Sequence, residues 1–494
     1  MSHNEKKDDK KNNVPEFTPE MPTDQAVTTQ HQFTIGGQTL SYTATAGNIV
    51  LKEEDGKPKA TIFYIAYTLD GVENLADRPL TFSFNGGPGS ASIWLHLGVL
   101  GPRRVLMDDV GNPLPPPYKL VNNDYSLLDV TDLVFIDPVT TGYSRAVPGE
   151  KPEQYYNFDA DIESVGEFIR LYTTRNRRWS SAKFLIGESY GTTRAAGLAG
   201  HLQDRHGMYL NGLMLISSIL NFQTARFTTG NDLPFITFLP TYTATAWYHN
   251  QLADDLQADL QKALTEAKAF AENEYSLALM KGSNLSDSER ADIVAKLARY
   301  TGLSADYIEQ TDLRVNIHRF VKQLLRHEHR TVGRLDSRFK GIDRDAAGSY
   351  HEYDPSLITI QGTYTGTFHD YVRRDLNYEN DIPYEVLSNR VRPWNYNQKA
   401  HPDSFLDVGE ILRDAMHKNP YLKIFVANGY YDLATPYYAT EYTFSHLGLN
   451  PERQSNIEMS YYEAGHMMYV HLPSLIQLKE DLTRFVQQAA SQEA

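Results

Sequence analysis

The sequence predicts an α/β fold: a mostly parallel central sheet covered by helices, interrupted by a largely helical insertion. Three observations carry this. Brief apolar runs recur as RPLTFSF (78–84), TDLVFID (131–137), AKFLIG (182–187), NGLMLIS (211–217), YLKIFVAN (421–428) and SNIEMSYYEA (455–464). Longer segments of helical spacing fall between several of them, such as FDADIESVGEFIRLYTTR (158–175). Continuous apolar runs alternating with helices belong to strands buried on both faces. Between about 222 and 400 that rhythm stops. Residues 251–280 and 286–302 there read as amphipathic helices, the second opening on a capping-box pattern, Ser286-x-x-Glu289.

Ahead of the first of these runs, residues 1–28 are charged, Pro-containing and short of aliphatics, which predicts a disordered tail. From about 31 to 70, alternating runs separated by Gly-Gly and Glu-Glu-Asp-Gly read as antiparallel hairpins. The expected organisation is a tail (1–28), a first core segment (29–221), a helical lid (222–400) and a second core segment (401–494).

The chain has 494 residues and a formal net charge of −15. That acidity argues against nucleic acid or an anionic membrane as partner, because phosphates need clustered Lys and Arg. No cysteine is present, which excludes disulfides, thiolate metal sites and cysteine nucleophiles. The polar N-terminus lacks the apolar stretch of a signal peptide, and no run approaches a membrane span. A soluble cytoplasmic protein is the expectation.

The stretch KFLIGESYGTTRAA (183–196) runs from strand-like residues through Gly-Glu-Ser-Tyr-Gly into small, helix-compatible ones. In a sharp strand-to-helix turn the central side chain is exposed on a strained backbone. Bulky residues two places away would clash, so glycines flank it. Ser189 between Gly187 and Gly191 fits such a nucleophile elbow, and the helix start behind it favours anionic species. Upstream, TFSFNGGPGSASIW (81–94) ends an apolar strand in consecutive glycines that let main chain approach a substrate. An acyl-transfer site needs one N–H from such a loop and one from the residue after the nucleophile. Gly87 and Tyr190 are the natural pair.

Asn85-Gly-Gly-Pro-Gly-Ser, Gly187-Glu-Ser-Tyr-Gly, FIDPVTTGYS (135–144), Asp432 in NGYYDLATP and His466 in AGHMMY together resemble the serine carboxypeptidases, peptidase family S10. The resemblance covers most of about 75–221 and 420–475, and implies the α/β-hydrolase fold. In that fold the order is Ser, then acid, then His, as Ser189, Asp432 and His466 stand here. A serine hydroxyl needs a base to take its proton and an acid to orient the base. His471 is the nearest rival to His466 but lacks the Ala-Gly-His-Met context. RHEHR (326–330) lacks the spacing that puts two imidazoles on one helical face, so it reads as a solvated charged surface. No metal or organic cofactor is implied.

The resemblance further implies that Glu188, Asn85 and Gly86 bind the free α-carboxylate of a peptide. A protonated carboxyl donates to a carboxylate where an ionised one repels it. The sequence departs from the family where a second glutamate normally partners the first: Val99 stands there, in Val99-Leu-Gly-Pro. Ser83 and Ser90 replace a family Trp and Cys.

The expected activity is therefore a serine-type carboxypeptidase acting on peptides, the lid setting side-chain preference. Three alternatives stay open on the sequence: a carboxypeptidase-like acyltransferase, an esterase or aminopeptidase on the same fold, and a non-catalytic binding protein.

Overall fold

The structure is a computed structural model and describes residues 20–399 and 404–491. Its central sheet is built from β1 (Gln25–Ile35), β2 (Gln38–Lys52), β3 (Pro58–Leu69), β4 (Leu80–Phe84), β5 (Asp132–Ile136), β6 (Lys183–Ser189), β7 (Gly212–Ser218), β8 (Lys423–Gly429) and β9 (Ile457–Tyr462). The spatial order is β1-β2-β3-β5-β4-β6-β7-β8-β9, with the short strand Arg145–Ala146 beside β3. From β5 to β9 every neighbour is parallel, while β1, β2, β3 and β5 pair antiparallel. This is the mostly parallel α/β architecture that the apolar runs predict.

Alternation explains why those runs are apolar throughout. Side chains at successive strand positions point to opposite faces. Phe82, Leu185, Leu213, Leu215, Ile424 and Val426 enter one core with the helices Phe158–Arg175, Tyr190–His206 and Gly409–Lys418. Phe184, Ile186, Met214, Ile216, Phe425 and Ala427 enter the other, under the helices Leu472–Ala490 and Pro355–Arg374. Neither face is left to water.

Two features differ from the sequence reading. Residues 25–28, assigned to a disordered tail, belong to β1, which pairs along its whole length with β2, Gln25 opposite Asn48. Gln25, Ala26 and Thr28 are exposed on this edge strand and Val27 alone is partly buried against the core, too little to make an apolar pattern. Residues 1–19 of that tail lie outside the described residues. The stretch 222–400 is also not one helical body. Its helices from Leu233 to Gln323 share a separate core, whereas the helix Pro355–Arg374 sends Ile360, Tyr364, Phe368 and Tyr371 into the core beneath the sheet. Residues 375–399 run back across the first core segment, bridging at Ser90–Leu387, Gly142–Glu385 and Asn157–Asn395. The capping box at Ser286 and Glu289 is present.

The antiparallel and parallel halves of the sheet are tied by one buried carboxylate. Asp132, at the start of β5, accepts from Arg78 Nε (3.1 Å), Arg178 Nη1 (2.5 Å) and the Leu69 N–H (3.0 Å). Removing it strands two buried guanidinium groups. Asp132→Ala should therefore cost about 3–5 kcal/mol, read as a lowered unfolding midpoint in thermal or denaturant titration.

Candidate active site

Strand β6 hands the chain to the helix Tyr190–His206 at Ser189, whose backbone takes φ 61° and ψ −129°. A non-glycine residue held there is strained by roughly 1–3 kcal/mol, and such strain collects at functional sites. The flanking glycines are required by contact. A Cβ on Gly187 would lie 2.2 Å from the Gly191 carbonyl oxygen. One on Gly86 would lie 2.4 Å from the Tyr190 nitrogen, so the Asn85–Gly87 loop rests directly on the start of that helix.

Ser189, Tyr190, Asn85, Gly86, Gly87, Glu188 and His466 all line one cavity of about 710 Å³. Asp432 stands behind it, fully buried. Its Oδ2 accepts from His466 Nδ1 at 2.7 Å and from the Thr435 hydroxyl at 2.7 Å. Its Oδ1 accepts the N–H groups of Ala434 (2.8 Å) and Thr435 (3.0 Å). Four donors thus surround this one carboxyl group. Burial pulls the His466 imidazole toward neutrality. The charge and hydrogen bond of Asp432 outweigh burial and leave the ring more basic than usual.

The histidine backbone is gripped on both sides. Its N–H donates to the Leu335 carbonyl at 2.7 Å, and its carbonyl accepts the Ser217 hydroxyl at 2.7 Å. Leu335 belongs to the insertion, whose neighbouring residues also hold the acid loop: the Leu433 N–H donates to Arg334 O, and the Ser337 N–H to Tyr431 O. The stretch treated as a lid thus supplies the bracket between the loops of Asp432 and His466. His471, the rival imidazole, bonds instead to the Ser474 hydroxyl (2.8 Å).

Glu188 is buried beside the serine. Asn85 Nδ2 donates to its Oε1 at 3.0 Å, and the Tyr469 hydroxyl donates to its Oε2 at 2.5 Å. Burial pushes its carboxyl up to about 7, against the opposing pull of His466, Tyr469 and Asn85. Tyr469 closes the AGHMMY stretch, where no sequence pattern marks it for a role. Its ring lies where only a glycine leaves room, since a Cβ on Gly98 would come within 2.3 Å of it. Val99, at the family's second glutamate, is buried in apolar packing. A tyrosine from a distant part of the chain therefore supplies the hydrogen bond that the substituted position cannot.

Further residues fix the Asn85 loop. Arg194 Nη1 donates to the Asn85 carbonyl at 2.5 Å while its Nε meets Asp161 at 2.9 Å, all three buried. Asn85 Oδ1 accepts the Leu95 N–H (3.2 Å). Asp137, from the FIDPVTTGYS stretch, accepts the Ser92 N–H (2.8 Å) and hydroxyl (2.9 Å). Nothing in the sequence pattern marks Arg194 or Asp161, because their link joins two helices.

The Glu188 carboxyl makes stability depend on pH with a definite sign. Its folded value, about 7, lies above its ordinary 4.5. Between these limits the folded chain holds more protons than the unfolded one, so this group's contribution falls as pH rises and is lost above about 7. Glu188→Gln removes that slope. Relative to the unsubstituted chain it should gain about 3 kcal/mol between pH 4.5 and 8, measured as the difference between the two unfolding curves.

Comparison with known proteins identifies the family. The family description "Serine carboxypeptidase" matches residues 37–474. The pheromone-processing carboxypeptidase KEX1 of Saccharomyces cerevisiae is 35% identical over 156 residues, 29% of this chain and 20% of the yeast protein. The chain therefore matches only about a fifth of that relative's length. Serine carboxypeptidase-like 34 of Arabidopsis thaliana is 23% identical over 439 residues, covering 84% of this chain and 76% of the plant protein. The crystal structure of the yeast KEX1 carboxypeptidase superposes with a TM-score of 0.57 over 90% of this chain and 91% of that one, at 17% identity, which speaks to the fold. With the match spanning most of its length, the chain belongs to the serine carboxypeptidase family.

Proposed function

We propose that the protein removes residues from the C-terminus of peptides through an acyl-enzyme. The observation that carries this reading is the buried Glu188 carboxyl, held by Asn85 and Tyr469 in the same cavity wall as Ser189 and His466. A carboxyl near neutrality beside a nucleophile suits recognition of a second carboxylate, such as the one every peptide with a free C-terminus presents there.

In this reading His466 Nε2 takes the Ser189 hydroxyl proton as the oxygen attacks the last peptide carbonyl. Asp432, bonded to Nδ1, fixes the tautomer that leaves Nε2 free to accept, and stabilises the imidazolium that forms. The oxyanion develops beside the Gly87 and Tyr190 N–H groups, at a helix start whose dipole favours negative charge. The imidazolium then protonates the leaving amine, and water, deprotonated by the same ring, releases the shortened peptide. Family membership and the carboxypeptidase relatives support the same activity.

The test pairs a peptide with its C-terminally amidated twin, read by mass spectrometry. The free acid should be shortened and the amide spared by at least tenfold in kcat/KM, with Ser189→Ala inert. Equal cleavage of both would remove the carboxylate reading. The pH profile gives an independent check. Because ionised Glu188 repels the terminal carboxylate, KM for the free acid should rise above about pH 7. Tyr469→Phe removes a donor to the ionised form. A hydrogen bond to a charged group is worth about 1.5–3 kcal/mol, so the alkaline limb should move up by about one to two pH units.

A further inference from the structure

We infer that the cavity selects peptides carrying acidic side chains beside the bond to be cut. The inference rests on the peptide-hydrolysing reading of that cavity and goes beyond it, to the class of substrate. Three arginines, Arg226, Arg334 and Arg392, line the cavity, and among the described residues no lysine and no carboxyl besides Glu188 joins them. This concentration of cations is local. The chain as a whole carries 62 acidic against 47 basic residues.

The three guanidinium groups arrive from separate elements and are held differently. Arg226 stacks over the rings of Tyr396 (4.7 Å) and Phe222 (5.3 Å), which in turn pack on Tyr190, the residue after Ser189. Aromatic stacking positions a guanidinium while leaving its in-plane donors free. Arg334 immediately precedes Leu335, whose carbonyl holds His466, and its charge opposes protonation of that ring. Its nearest carboxylate, Asp354, is 3.8 Å from Nε, beyond hydrogen-bond reach. That carboxylate already accepts the N–H groups of Arg334, Leu335 and Ser356 and the Ser356 hydroxyl. Arg392 follows Val391, whose side chain packs against Gly89 at the end of the Asn85 loop. Among the described residues neither Arg226 nor Arg392 has a carboxylate partner. The donors are therefore placed around Ser189 from the nucleophile, histidine and glycine-loop sides.

Arginine forks match carboxylates bidentately, and a cleft lined by one sign of charge focuses its field on ligands of the other. Every peptide has one terminal carboxylate, for which Glu188 and Asn85 are the proposed partners. Three further cations are in excess of that need. They fit side-chain carboxylates of Asp or Glu in the last few residues and disfavour Lys and Arg there.

The experiment uses Ser189→Ala protein and four peptides of common body ending in Glu-Glu, Gln-Gln, Lys-Lys and amidated Glu-Glu, with affinity read by calorimetry. The Glu-Glu peptide should bind at least tenfold more tightly than Gln-Gln, and Lys-Lys more weakly than either. The advantage of Glu over Gln should shrink in 1 M salt, where screening reaches about 3 Å. It should also shrink in proteins that additionally carry Arg226→Gln, Arg334→Gln or Arg392→Gln. The amidated peptide separates sources: if the side-chain carboxylates act, it keeps an advantage over Gln-Gln. Equal binding of Glu-Glu and Gln-Gln, or tighter binding of Lys-Lys, overturns the inference. The same peptides given to the unsubstituted enzyme separate this from the reaction itself. Acidic peptides that bind preferentially but are not shortened leave charge selection standing and defeat the carboxypeptidase reading; shortening without charge preference does the reverse.

Discussion

The contact between two stretches of main chain governs the site. The Asn85–Gly87 loop lies on the first turn of the helix after Ser189 closely enough that a methyl group at Gly86 would meet backbone nitrogen. No side chain could be interposed there, so loop and elbow must share glycines at 86, 187 and 191. That approach puts Gly87 and Tyr190, the two candidate N–H donors, around one cavity with Ser189. It also brings Asn85 within 3.0 Å of Glu188. Arg194 then secures the loop by its carbonyl, using a charge buried against Asp161. A buried ion pair is a weak source of net stability but a demanding geometric restraint. Here it fixes the height of the loop over the helix.

Two carboxyl groups within one site meet different environments, and this division sets what each can do. Asp432 has four donors and no exposure, and one of those donors is His466. Glu188 has two donors and equal burial, too few to offset desolvation, and rests near neutrality. Environments that separate the proton affinities of like groups assign them unlike roles. In the proposed reaction one orients a base and the other meets a carboxylate.

Much of this was legible in the sequence, because local rules carry it. The parallel strands announce themselves as short apolar runs, since both faces are buried. The elbow announces itself through glycines that sterics demand, and Asp432 and His466 follow strands whose ends meet the same cavity. What escaped is carried by contacts distant in sequence. Tyr469 reaches Glu188 across 281 positions, and its space is reserved by Gly98, a residue with no pattern of its own. Val99 shows in the sequence only that no carboxyl stands at that position; a hydroxyl donated from elsewhere leaves no local mark. Residues 25–28 read as disordered because this edge strand turns only Val27 toward the core and leaves its other three side chains exposed.

The same limit applies to the insertion, and correcting it changes what that region does. A helical stretch inside a hydrolase-like sequence reads as a cover over the cavity. Yet Tyr431 and Leu433, on either side of Asp432, are buried in the insertion's own core, while Asp432 turns the other way toward His466. Residues 334–337 pair with that loop through backbone bonds and hold the His466 N–H as well. Asp432 and His466 are thus joined twice: once by their own hydrogen bond and once through a segment of the insertion. An element bonded to both loops cannot move far as a rigid lid without disturbing the 2.7 Å contact between them. Arg334 is held near the histidine by the same bracket, so the charge of the cavity and the alignment of Asp432 with His466 depend on one piece of backbone.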